Sequence, residues 1–212
     1  LAVVVPALRA LKVIVVAGEE DSNSGGVDKL HDGRLPSEAD SPADNFFFAP
    51  GADGGRLQVD LGINIKGRQV NTYSWHPGSR GPQVYKLYAA DGAADDFNAA
   101  PKAGTSPDQC GWKLIANVNT TSKSDEDGGQ YGVSIANSDG NLGQYRYLLF
   151  DISAAERDDA FGNTFYSEID VIDASAPVVQ YIATTPEAFV FKTTDGKCTI
   201  TLDTSKAPAL ED

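Results

Sequence analysis

Phe161-Gly-Asn-Thr-Phe-Tyr-Ser-Glu-Ile-Asp-Val-Ile172 is the stretch on which the fold class turns. Its first half reads as a loop rich in Gly, Asn and aromatic residues. Its second half, from Ser167, alternates polar and apolar side chains in the manner of a half-buried strand. A carboxylate, Glu168, stands where loop becomes strand. In an all-β module, a loop feeding a strand is where a ligand is presented or a metal is held, because rigid strands position the loop residues.

Working outward, the same period-two alternation predicts strands over 12–16, 57–61, 68–75, 83–89, 112–118 and 145–152. Turn clusters rich in Gly, Pro, Asn and Asp separate them. Residues 28–45 are polar, carry Pro36 and Pro42, and show no helical period. Residues 91–112 and 120–141 read as long insertions. With almost no amphipathic helix, the chain is expected to be all-β, an antiparallel β-sandwich of jelly-roll type. Ala174-Ser-Ala-Pro177 is a linker-like break. The expected organisation is an N-terminal arm or processed leader remnant over 1–11, a sandwich over 12–173, and a C-terminal extension over 174–212 that starts another module or extends the sheet.

Composition narrows the function. The 212 residues are 41% hydrophobic and 22% charged, which describes a soluble globular chain with ample core. A net charge of −13 excludes nucleic acid as a partner, since no basic surface neutralises phosphates. It also argues against anionic membrane surfaces, and no apolar run is long enough for membrane insertion. Surplus carboxylates suit divalent cations and neutral ligands such as sugars, although solubility alone also accounts for them. The chain has no Met and only two His, His31 and His76. Neither lies in a His-Glu-x-x-His motif, and no Gly-x-Ser-x-Gly or phosphate loop is present, so a non-catalytic module is expected. Cys110 and Cys198 stand far apart with no zinc-type cluster. In an exported protein they can pair across a long loop, the expectation adopted, or remain two separate buried thiols.

The order of short motifs resembles a known family. Leu30-x-Asp-Gly33 is followed by Val59-Asp-Leu-Gly62 and a strand into a His- and Arg-bearing loop. Then come Tyr88-x-x-Asp-Gly92, Trp112-x-x-Ile-Ala116, Tyr147-Leu-Leu-Phe150 and Ser167-Glu-Ile-Asp-Val171. This succession, over about 12–173, resembles the discoidin or coagulation factor type C domain, within the galactose-binding-like jelly rolls that include bacterial carbohydrate-binding modules. The resemblance implies a structural Ca²⁺ between the first long loop and the last strand. Asp32 and Glu168 would supply carboxylates, Leu30 and Ser167 backbone carbonyls, and Asp40 a further oxygen, a donor set suited to a hard cation. The other reading has Asp32 capping a turn and Glu168 solvated.

The resemblance also implies a ligand site at one end of the sandwich. Trp75, His76 and Arg80 from Trp75-His-Pro-Gly-Ser-Arg80 would meet Phe161 and Asn163. Aromatic faces stack on sugar C–H faces, while imidazole, guanidinium and amide groups bind hydroxyls. Alternatively Trp75 is a core aromatic, and His76 and Arg80 form a structural cluster with a carboxylate. The expected function is an extracellular, secreted or cell-surface module that recognises carbohydrate or glycoconjugate. The alternatives are a structural subunit that contacts other protein subunits or domains, and a targeting domain of a larger secreted hydrolase.

Overall fold

Alternation that persists through an irregularity produces the longest element of the protein. In a computed structural model, the segments expected as two strands over 57–61 and 68–75 are one strand, Gly55–His76. The structure describes residues 3–4, 12–51, 53–121, 128–155, 163–175, 179–180, 189–194 and 197–202. In chain order the strands are β1 (Val3–Val4), β2 (Lys12–Ala17), β3 (Gly55–His76), β4 (Val84–Ala90), β5 (Lys113–Asn119), β6 (Gly129–Ala136), β7 (Gly143–Ile152), β8 (Tyr166–Asp173), β9 (Val179–Gln180), β10 (Phe189–Thr194) and β11 (Lys197–Leu202). They fall into two compact units. One is Leu8–Ala174; the other combines Leu1–Ala7 with Ser175–Asp212. In the latter, β1 pairs with β9 and β10 with β11, both antiparallel.

In the larger unit every pairing is antiparallel, and β3 belongs to both halves. Its first part pairs with β2 and β7, continuing through β4 to β5. Its second part pairs with β6 and β8. The register shifts between Asp60 and Ile65. Here the strand bulges rather than stops. Gly62 takes a left-handed φ of 77°, its N–H donates to Asp60 Oδ1 at 2.8 Å, and Arg146 grips the same carboxylate at 2.8 and 2.9 Å. Those bonds hold the Asp60 carboxyl below its ordinary pKa, the Arg146 hydrogen bond most of all. Inward-facing residues of both halves, including Leu57, Val59, Val70, Leu87, Phe150, Ile169 and Val171, share one core. The architecture is the antiparallel sandwich expected from the alternation.

Two segments read as insertions are structured. Residues 120–141 contain β6, whose Tyr131, Val133 and Ile135 alternate with Gln130, Gly132 and Ser134. The period was present in the sequence, diluted by glycine. Residues 91–112 fold over the outer face of the β2–β3–β7–β4 region and build a second apolar cluster of Val16, Tyr88, Ala90, Cys110, Trp112 and Leu149, with Phe97 packed against it. The Trp112 indole N–H donates to Asn98 O at 2.8 Å. Arg56 pins this cover: its Nη1 donates to the carbonyls of Pro101, Lys102 and Thr105, while Nε donates to Asp151 Oδ1 at 2.8 Å. The Cys110 thiol is buried, within 3.5 Å of the Ser106 and Pro107 carbonyls, and burial pushes its pKa up. Its expected partner, the side chain of Cys198, lies outside the described residues, as does most of the expected arm over 1–11.

Removing one partner of a buried ion pair strands the other and leaves its hydrogen-bond acceptors unmet. Arg56→Ala should therefore destabilise the larger unit by about 3 kcal/mol. Thermal melts would measure this, and amide exchange should show the loss of protection concentrated over 98–110.

Candidate functional site

Strand ends bring two loops together. β3 delivers His76 into the loop 77–82, and residues 163–165 lead into β8. Phe165 joins them: its N–H donates to Arg80 O at 3.1 Å, and its carbonyl accepts from Trp75 N–H at 3.2 Å. Thr164 Oγ1 donates to Pro82 O, and Ser74 Oγ donates to Gly81 O. Beneath the loop, Gln83 is fully buried and bonds Thr72 and donates to Ser74 Oγ at 3.1 Å, so the base is rigid.

The Phe165 ring is the centre of the site. Phe47 stacks on it at 4.1 Å, the His76 ring meets it edge-on at 4.9 Å, and the Arg80 guanidinium lies 4.4 Å over its face. His76 Nδ1 accepts from Gly78 N–H at 2.9 Å. Nε2 lies within hydrogen-bond distance of Arg80 Nη2, at 2.9 Å, and 3.7 Å from Asp40 Oδ1. Burial first, and Arg80 second, hold the imidazole below its ordinary pKa, which favours the neutral ring. Asp40 adopts a φ of 58°, a conformation uncommon outside glycine.

The expected site residues divide. His76, Arg80 and Asn163 lie around one loop junction, whereas Trp75 does not join His76. Adjacent strand residues point to opposite faces; Thr72, Ser74 and His76 are buried inward, and Trp75 is half-buried on the other side. Asn163 is buried with its Nδ2 donating to Ala49 O at 2.8 Å, a bond that ties two loops together. Phe161 lies outside the described residues. Phe165 and Phe47 carried no expected role; the aromatic pair Phe165-Tyr166 at the mouth of β8 was the available signal.

The residues expected to hold a cation divide as well. Glu168 is buried on β8, and its Oε2 accepts from Gly33 N–H at 3.2 Å. Desolvation, then the charges of Asp170 and Asp32, push its pKa up to about 7. Asp32 Oδ1 accepts from Arg34 N–H at 2.9 Å, a turn-capping bond, and Oδ2 lies 3.5 Å from Lys29 Nζ. Leu30 is fully buried in the core. Ser167 Oγ donates to Asn45 Oδ1 at 2.8 Å, anchoring the short 3-10 turn Pro42–Asp44. Asp40 stands beside His76, away from this group. Among the described residues no three His, Cys, Asp or Glu side chains converge.

The comparisons bear on the fold. No protein-family profile and no curated protein matches the chain. Solved structures do. The lectin binding domain of Lectinolysin complexed with Lewis b superposes with a TM-score of 0.51 at 13% identity, over 82% of this chain and 99% of that one. GH31 CBM32-2 bound to GalNAc superposes at 0.50 and 10% identity, over 77% of this chain and 97% of that one. The chain shares the antiparallel β-sandwich fold of these two domains, and the shared feature at these identities is the fold itself.

The Glu168 carboxyl gives a pH dependence. Its folded pKa, about 7, lies above its ordinary value of 4.5. The native state therefore binds the extra proton, and the stabilisation is complete below about 4.5 and lost as pH rises through about 7. Glu168→Gln should remove that slope in chelator-treated protein and make it more stable than wild type at pH 8, by roughly 2 kcal/mol. Urea unfolding at pH 5 and pH 8 measures this; parallel wild-type and variant curves would contradict it.

Proposed function

We propose that this chain is a non-catalytic carbohydrate-binding module that acts outside the cell, secreted or at a cell surface, and recognises a carbohydrate or glycoconjugate through the junction of loop 77–82 with residues 163–165. The observation that carries the reading is the set of polar groups held over Phe165. The neutral His76 ring, the Arg80 guanidinium and the Asp40 carboxylate offer donors and an acceptor side by side, fixed from below by buried hydrogen bonds. Phe165 is buried and holds these groups from beneath rather than meeting the ligand, and preorganised polar side chains are the chemistry that binds sugar hydroxyls. His76 is 9% exposed, so the ligand meets chiefly Arg80, Asp40, Ser79 and Pro77, with the imidazole edge behind them. The neighbour in the Lectinolysin comparison is complexed with Lewis b and the GH31 module is bound to GalNAc, which supports a glycan ligand here. The second of these is named as part of GH31, and a targeting role within a larger secreted hydrolase fits the same site. Among the described residues no helix is long and apolar enough to cross a membrane.

A structural Ca²⁺ belongs to the proposal. The donor chemistry fits: Glu168 is a carboxylate whose pKa is raised by burial first and then by the neighbouring Asp170 and Asp32 charges, the situation a divalent cation relieves. Asp32 and Glu168 would hold it with carbonyl oxygens near Leu30 and Ser167; Asp40 is left to the ligand side. The ion would neutralise the carboxylates and fix the loop after Gly33 against β8.

Two measurements test these readings. On a glycan array, His76→Ala and Arg80→Ala should each weaken binding by about tenfold or more, the scale of one or two lost hydrogen bonds to a polar ligand; full retention in both removes the loop junction from the function. Calcium should raise the melting temperature and EDTA lower it, with the difference abolished in Asp32→Ala. An EDTA-insensitive wild-type melt would eliminate the cation.

A further inference from the structure

The cover formed by residues 91–112 spans only part of the outer face of the larger sheet. Beyond its edge lies a surface groove of about 300 Å³, whose lining includes Val84, Lys86, Asn117, Asn119, Asp151 and Ser153. We infer that this groove is a second glycan-binding surface, which takes a pyranose residue through its hydroxyls and makes the module bivalent. The inference shares the ligand class of the proposed function but not its residues.

Register creates the array. Lys86 on β4 pairs with Asn117 on β5 and with Asp151 on β7, and Val84 pairs with Asn119. Ser153 N–H donates to Val84 O at 3.0 Å, which extends the second row across the third strand. Directly opposed side chains in antiparallel sheets lie about 5 Å apart. Two rows across three strands therefore present polar groups over about 10 Å, the span of a sugar ring and its substituents.

The polar groups are fixed or available. Arg56 holds both oxygens of the Asp151 carboxylate, at 2.8 and 3.3 Å, so the acceptor is oriented before any ligand arrives. Because Arg56 compensates Asp151, the Lys86 ammonium has no ion-pair partner among the described residues. The Asn117 amide also has no hydrogen-bond partner among them. Asn119 Oδ1 accepts from Thr121 N–H and Oγ1, which points its amide orientation and leaves Nδ2 as a donor. Donors at Lys86, Asn117 and Asn119 thus alternate with acceptors at Asp151, Asn117 and Ser153, as vicinal hydroxyls require. Val84 supplies an apolar patch for a C–H face. A volume of about 300 Å³ is at the lower end for small-molecule sites.

The groove shares a frame with the loop junction. Thr120 N–H donates to Gln83 O at 3.0 Å, and Gln83 is the residue that holds Thr72 and Ser74 beneath loop 77–82.

NMR titration of the ¹⁵N-labelled full chain with galactose, N-acetylgalactosamine and a galactose-terminated tetrasaccharide separates the two sites. The tetrasaccharide should shift the Asn117 and Asn119 side-chain amides and the backbone of 84–86. These shifts should persist in the double variant His76→Ala/Arg80→Ala. They should vanish in Lys86→Ala/Asn117→Ala, with affinity down about tenfold and the responses of 77–81 retained. Both substituted residues are exposed, and Lys86→Ala alone provides a milder variant should the pair perturb β4. Shifts confined to 76–82, with unchanged affinity in Lys86→Ala/Asn117→Ala, overturn the inference and leave the proposed function standing. Shifts confined to the groove support the inference and remove the loop junction. No shift anywhere overturns both.

Discussion

The continuity of β3 is the constraint on which the rest of the larger unit depends. A strand that serves both halves of a sandwich must change partners without ending, and its bulge at 61–64 allows that. The Asp60–Arg146 pair and the left-handed Gly62 hold the bulge. Downstream of it, alternation places Thr72, Ser74 and His76 inward in sequence. Thr72 and Ser74 meet Gln83, while His76 emerges at the strand end beside Phe165. The position of the imidazole is therefore a consequence of register: a one-residue slip would move Trp75 into its place.

Polar burial distinguishes the two parts of the entry into β8. At the loop junction, Asn163, Thr164 and the Phe165 backbone all bond neighbouring loops, so the segment before β8 is structural as much as functional. A few residues on, Glu168 is buried among other carboxylates and raised toward neutrality. One site is satisfied internally and presents its surplus donors outward. The other carries an electrostatic deficit, which protonation relieves and which a cation would relieve as well.

The sheet was legible because alternation survives in almost every strand, whereas the meeting of the His76 loop with the segment before β8 was implied by the family resemblance and not by the strand pattern itself. Other features were hidden for physical reasons. The bulge in β3 looks like a break, since a glycine and consecutive exposed residues erase the period locally. β6 is diluted by Gly129 and Gly132. Trp75 looked like a partner of His76 because proximity in sequence suggests proximity in space, whereas strand geometry separates neighbours. Asp40 was grouped with Asp32 by residue type, and only tertiary structure shows it beside His76. The groove was invisible because it depends on which residues stand opposite one another across three strands.

Loop 77–82 is held through its main chain. Ser74 and Thr164 hydroxyls bind the Gly81 and Pro82 carbonyls, Phe165 binds the Arg80 carbonyl, and Gly81 N–H closes a turn on Gly78 O at 3.0 Å. These anchors do not read side chains, so the identities at positions 77, 79 and 80 can drift while the loop keeps its path. The protein thus carries a recognition segment whose path is set by main-chain bonds rather than by its own side chains. Selection on ligand preference can act there with little penalty to folding.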